Sequence, residues 1–151
     1  MEAVLVLNGP NLNLLGEREP GLYGHGTLAD AERLLQAVAT ELRVQVDCRQ
    51  SNHEGQLLDW LHAAPSAYQG LVLNLGALTH TSLACADAVR AIGLPAVEVH
   101  VSNVHAREAF RQHSWIASAV IGQVSGFGIH SYPLALRGLI GQLRAAQPSP
   151  R

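Results

Sequence analysis

The chain has 151 residues, 48% of them apolar and only 15% charged, with a formal net charge of −2. One domain of this length buries roughly two thirds of its unfolded surface and needs no disulfide or metal staple, and the composition excludes a disordered chain. The slightly acidic balance argues against nucleic acid or an anionic membrane as the partner, while so few charges point to a homo-oligomer that hides part of its exterior.

Residues 3–7 (Ala-Val-Leu-Val-Leu) form an apolar, β-branched run, the pattern of a strand buried on both faces. They follow no basic region and are too short for a signal peptide, and no run approaches the ~18 residues that span a membrane. Gly9 to Gly26 holds five glycines, two prolines, Arg18 and Tyr23. Such a long connection is either a lid over the strand ends or a disordered surface loop. Ala31, Leu34, Leu35, Val38 and Leu42 recur at helical spacing within 27–42. Val44, Val46 and Cys48 alternate as a strand over 43–49. Ser51-Asn-His-Glu54 has the form of a capping box before a helix with Leu57, Leu58 and Leu61 inward.

A third strand is expected over 71–75 and a helix over 81–91, capped by Thr79 or Thr81 and stopped near Gly93 and Pro95. Its start is either an anion-binding position or a plain capped helix beside a surface His80. Strands over 96–101 and 119–124 follow, then a helix from Ser131 and Pro133 with Leu136, Leu139, Ile140 and Leu143 on one face. The tail from 147 to 151 reads as frayed. Cys48 and Cys85, in a strand and a helix, read as buried thiols of a reducing cytoplasm. Five β-α units predict one domain over 1–151, a three-layer flavodoxin-like α/β sandwich with a five-stranded parallel sheet.

Ligands of such sheets bind at the carboxyl ends of the strands. There the sequence places Asn8 to Asn11, Gln50 to His53, Asn74 to His80, Glu98 to Asn103 and Gly126 to His130. In the fourth strand Val97, Val99 and Val101 point one way, and Glu98, His100 and Ser102 the other. A carboxylate two residues from an imidazole orients it and fixes its tautomer, so Glu98 and His100 form either an acid–base dyad or a core hydrogen bond that fastens the strand. All ten basic residues are Arg, which removes any lysine Schiff base or phosphate-loop lysine. The eight histidines lack metal-ligand spacing. Gly126-Phe-Gly128 lacks the rest of a dinucleotide fingerprint. A flavodoxin-like binding module for a nucleotide or small anion and a metal hydrolase remain the alternatives to an acid–base enzyme.

Asn8-Gly-Pro-Asn-Leu-Asn-Leu-Leu-Gly16, Arg18-Glu-Pro20, Tyr23-Gly24, Gln50-Ser-Asn-His-Glu-Gly55, Leu78-Thr-His-Thr-Ser82, Glu98-Val-His-Val-Ser-Asn103 and Gly126-Phe-Gly128 stand in one order along nearly the whole chain. In these blocks the sequence resembles the type II 3-dehydroquinate dehydratases. The resemblance implies a flavodoxin-like cytoplasmic enzyme that uses neither cofactor nor metal. Its substrate would be 3-dehydroquinate, dehydrated to 3-dehydroshikimate in the shikimate pathway or in quinate breakdown. Tyr23 would be the base at C2, Arg18 would stabilise the phenolate and close with the lid, and Asn11 would hold a donor on the enolate oxygen. His100, oriented by Glu98, would protonate the departing C1 hydroxyl. Asn74, His80, Val101, Ser102 and Arg111 would bind the substrate. Asp87 would reach a neighbouring subunit's site in a dodecamer built from trimers. By spacing alone, Glu108 with Arg111 and Asp87 with Arg90 read as solvated helical pairs. The chain departs from the family pattern at Leu75, where Pro is frequent, and at Ser131, where Gly is frequent.

Overall fold

The computed structural model describes residues 1–17 and 26–148. Strands β1 (Ala3–Asn8), β2 (Gln45–Gln50), β3 (Gly70–Asn74), β4 (Ala96–His100) and β5 (Gly122–Ser125) form one sheet in the order β2-β1-β3-β4-β5. Every neighbouring pair is parallel. This is the flavodoxin-like order expected from the sequence. Helices α1 (Leu28–Leu42), α2 (Glu54–Ala63), α3 (Leu83–Ile92) and α4 (Ser131–Ala145) cover the two faces.

The apolar runs decide which strands are central. Every residue of β1 and β3 is buried, while β2 and β5 at the edges are only partly so. Alternation splits the core in two. Val4, Val6, Val72, Val97 and Val99 meet Leu35, Val38, Leu136, Leu139 and Ile140 of α1 and α4. Leu5, Leu7, Leu71 and Leu73 meet Leu57, Leu61, Cys85 and Val89 of α2 and α3. Each such side chain contributes roughly 1.5–3 kcal/mol on burial. A one-residue slip of β1 would exchange the two faces, so packing fixes the register.

Local chemistry departs from expectation at four places. The Ser51–Glu54 capping box does not form. Ser51 Oγ instead accepts the His53 N–H at 3.0 Å, and His53 stands at the N-cap of α2 without a side-chain bond. The reciprocal box belongs to α1, where Thr27 Oγ1 accepts from Asp30 N and Asp30 Oδ2 from Thr27 N. Helix α3 is capped by Ser82, which accepts from Cys85 N at 2.9 Å, and not by Thr79 or Thr81. Between β4 and β5 the crossover carries 3-10 turns at Val104–Ala106, Ala109–Arg111 and Ala117–Ala119 in place of a fifth α-helix, so β5 begins at Gly122 and not at 119. Cys85 is buried but Cys48, on an edge strand, is only half-buried.

The sheet brings the loops after β1 and β3 into contact at the point where strand order reverses. The Gly9 N–H donates to the Asn74 carbonyl at 2.8 Å. A Cβ on Gly9 would lie 2.3 Å from the Leu75 carbonyl oxygen, so only glycine fits. Leu75 is wholly buried within the α2–α3 core, and Gly76 takes a positive φ of +59° beside Pro10. Ser131 is equally buried, and its hydroxyl accepts the Phe127 N–H at 3.0 Å. Leu75 is thus held by packing, and Ser131 by packing and a hydrogen bond.

Candidate active site

A cavity of about 200 Å³ opens at the carboxyl ends of β1, β3 and β4. That is roughly seven waters' share of liquid volume, room for one small molecule. Asn11, Asn74, His80, His100, Val101, Ser102 and Arg111 all line it. Residues separated by up to 100 positions in the sequence thus meet in one place. Arg107 joins them, with a side chain only 9% exposed, and Leu12 and Leu15 form an apolar wall. Sequence reasoning passed over Arg107, because Arg107-Glu108 carries no spacing signal of its own. Asp87 lies on the exposed side of α3, 3.7 Å from Arg90, and does not line this chain's cavity. Arg18 and Tyr23 lie outside the described residues, as do the inner part of the 9–26 segment and residues 149–151.

Strand β4 supplies the ionisable pair. Glu98 and His100 are 1% and 6% exposed. Glu98 Oε2 stands 2.5 Å from His100 Nε2, so among the described residues Nδ1 is the ring nitrogen open to other partners. The second carboxylate oxygen accepts from Ser114 Oγ at 3.0 Å and from Gln123 Nε2 at 2.9 Å. Burial works to raise the Glu98 carboxyl, but the hydrogen bonds from His100, Gln123 and Ser114 outweigh it and hold it below its ordinary value. Ser114 and Gln123 were missed because 16 and 25 residues separate them from Glu98, and no periodicity links them.

Beside this pair, the His80 ring stacks against His100 with centroids 6.1 Å apart. His80 Nδ1 pairs with the His113 carbonyl at 2.8 Å, and Trp115 Nε1 donates to the His80 carbonyl at 3.1 Å. Burial lowers the His80 pKa, and the cationic forms of His100 and Arg111 lower it further, so His80 is held toward the neutral ring. Arg111 Nε lies 3.1 Å from Glu108, and the guanidinium packs 5.2 Å from the Phe110 ring centre.

Across the cavity, Asn11 takes a left-handed conformation, φ 69°. Its N–H donates to Asn52 Oδ1 at 3.0 Å, and Gln50 Nε2 donates to that same oxygen and to the Gly9 carbonyl. The block after β2 therefore acts by pinning the loop that presents Asn11. Such a site can bind an oxygen-rich acid through Arg and Asn donors and move a proton at His100.

The sequence matches the family model described as dehydroquinase class II over residues 2–140. It is 58% identical over 145 residues to 3-dehydroquinate dehydratase 2 of Ralstonia nicotianae, covering 93% of this chain and 94% of that one. It is 56% identical over 142 residues to the 3-dehydroquinate dehydratase of a Nostoc species, covering 94% and 97%. The crystal structure of a type II dehydroquinase from Butyrivibrio crossotus superposes with a TM-score of 0.90 at 38% identity, covering 92% and 97%.

Proposed function

The chain belongs to the class II dehydroquinase family, and from that premise we propose that it is a hydro-lyase acting as one catalytic domain on 3-dehydroquinate. The ketone acidifies the neighbouring C2–H bond, so the demanding step is forming an enolate near neutral pH. The Tyr23 phenolate, kept ionised by Arg18, takes the C2 proton, and the electron pair moves onto the ketone oxygen, where Asn11 holds a donor. The pair then returns to form the C1–C2 double bond. The C1 hydroxyl departs with a proton from His100, so the products are 3-dehydroshikimate and one water. No cofactor or metal takes part.

The observation that carries this reading is the buried Glu98–His100 pair at the wall of a cavity furnished with Asn74, His80, Ser102 and Arg111. Glu98 fixes the imidazole through Nε2, which supports proton delivery from Nδ1. A positioned acid or base contributes typically 10²–10⁴-fold, and fixed donors on an enolate contribute a similar factor. Asn74, His80, the Val101–Ser102 backbone and hydroxyl, and Arg111 hold the substrate's hydroxyls and carboxylate. Asp87 serves the site of a neighbouring copy in a cytoplasmic dodecamer of trimers. The low charge and the exposed Phe110, Ile121 and Phe127 support such an assembly.

The test is turnover of 3-dehydroquinate, followed by the ultraviolet absorbance of the conjugated enone. Tyr23→Phe should keep the fold and lose most activity, and full activity in that variant would overturn the base assignment. Borohydride added with substrate should trap no adduct, since the chain has no lysine. Sedimentation as a monomer would remove the role given to Asp87.

A further inference from the structure

We propose that Tyr132 is a positioning residue for substrate recognition: its hydroxyl fixes the Asn74 carboxamide so that the cavity meets a hydrogen-bond donor, selecting an acceptor oxygen on the ligand. The inference rests on the hydro-lyase reading of the cavity. Tyr132 lies in the first turn of α4, wholly buried, and does not itself line the cavity. Its hydroxyl reaches the ends of both central strands. It donates to Asn8 Oδ1 at 2.6 Å and accepts from Asn74 Nδ2 at 2.9 Å.

The direction of this chain of bonds is set by the backbone. Asn74 Oδ1 accepts the Gly76 N–H at 3.3 Å. A flipped carboxamide would place NH₂ against N–H, two donors facing each other, so the oxygen must point to Gly76 and the nitrogen to Tyr132. The Tyr132 lone pair is then committed to Asn74, and its proton goes to Asn8. Burial pushes the phenol above its ordinary value, so it keeps that proton at neutral pH. Asn74 is 3% exposed and lines the cavity, and among the described residues Nδ2 makes one hydrogen bond. Its second hydrogen is left for the ligand. A hydroxyl or carboxylate oxygen satisfies it, and a group that only donates does not.

Tyr132→Phe removes one atom from this chain without touching the cavity wall. Its KM for 3-dehydroquinate should rise about 5–15-fold, the effect of one misplaced hydrogen bond, while kcat per folded molecule changes less than about threefold. In an Asn74→Ala background the same substitution should add less than about twofold to KM, because the group it positions is already gone. An unchanged KM in Tyr132→Phe, or effects that multiply in the double variant, would overturn the proposal. Loss of folded protein with unchanged KM is the result of a merely structural role and also overturns it. If Tyr132→Phe does not fold, Asn8→Ala decides the matter. Asn8 does not line the cavity, so a raised KM there together with a rotated Asn74 carboxamide in its crystal structure supports the chain, and an unchanged KM refutes it. Should the native protein leave 3-dehydroquinate untouched, the hydro-lyase reading fails by itself. The crystal structure of Tyr132→Phe then settles the positioning role: a rotated Asn74 carboxamide supports it, and an unmoved one overturns it.

Discussion

The ends of β3 and β4 lie side by side and carry buried polar networks of opposite character. At β3, Asn74, Tyr132 and Asn8 form a neutral chain of hydrogen bonds. At β4, Glu98 collects His100, Ser114 and Gln123 around a carboxylate held in its charged form. Asn8, Asn74 and Tyr132 of the first and Glu98 and His100 of the second are nearly inaccessible to solvent, where an unmet polar group is costly. The neutral network keeps one protonation state and serves as a fixed template. The charged one holds His100, the acid of the proposed reaction. In the proposed reaction, recognition and chemistry are thus divided between neighbouring strands, and each network should fail in its own way.

The largest effect is expected where proton exchange is removed. His100→Ala should lower kcat by about 10²–10⁴-fold with an unchanged circular dichroism spectrum. Asn74→Ala should instead act mainly on KM, and a kcat loss as large as that of His100→Ala would erase the division between the two strands. Gly9→Ala strikes the joint beneath both. Its Cβ would press on the Leu75 carbonyl, so a loss of about 1–3 kcal/mol is expected, read as a lower urea midpoint.

A pH series sharpens the contrast further. The folded Glu98 carboxyl lies below its ordinary 4.5, so its stabilisation is complete above that pH and fades as pH falls through the folded value. The urea midpoint of Glu98→Gln relative to the native protein should therefore shift in the variant's favour between about pH 7 and about pH 4. Tyr132→Phe should show no such trend, because the phenol stays neutral in both states over that range. The smallest effect is expected for Gln123→Ala, which removes one of three donors from Glu98. A stability loss of about 1 kcal/mol with an unchanged KM would place Gln123 behind the charged network, and a raised KM would contradict that placement.

Much of this molecule follows from short-range pattern. The Ala3–Leu7 run and the alternation of Val97, Val99 and Val101 with Glu98 and His100 set strands, faces and the ionisable pair, because side-chain period is a local property of an extended chain. Thr27 to Leu42 and Ser131 to Leu143 give helices for the same reason. Capping was less legible. Ser51 and Thr81 have the right chemistry, but which hydroxyl meets a free N–H depends on where the helix axis is placed by packing, and at α3 that selected Ser82.

The sequence by itself determined the order of β and α elements, the alternation that sends Glu98 and His100 to one face, and the lack of any lysine for imine chemistry. Only the tertiary structure decided that Ser114 and Gln123 complete Glu98, that Arg107 joins the cavity, and that Tyr132 spans 124 residues to reach Asn8 and 58 to reach Asn74. Hydrogen bonds need their atoms within about 3 Å in a narrow range of directions. A parallel sheet brings distant segments together by crossovers, so such distances are fixed by packing of the whole sheet and leave no mark in local spacing.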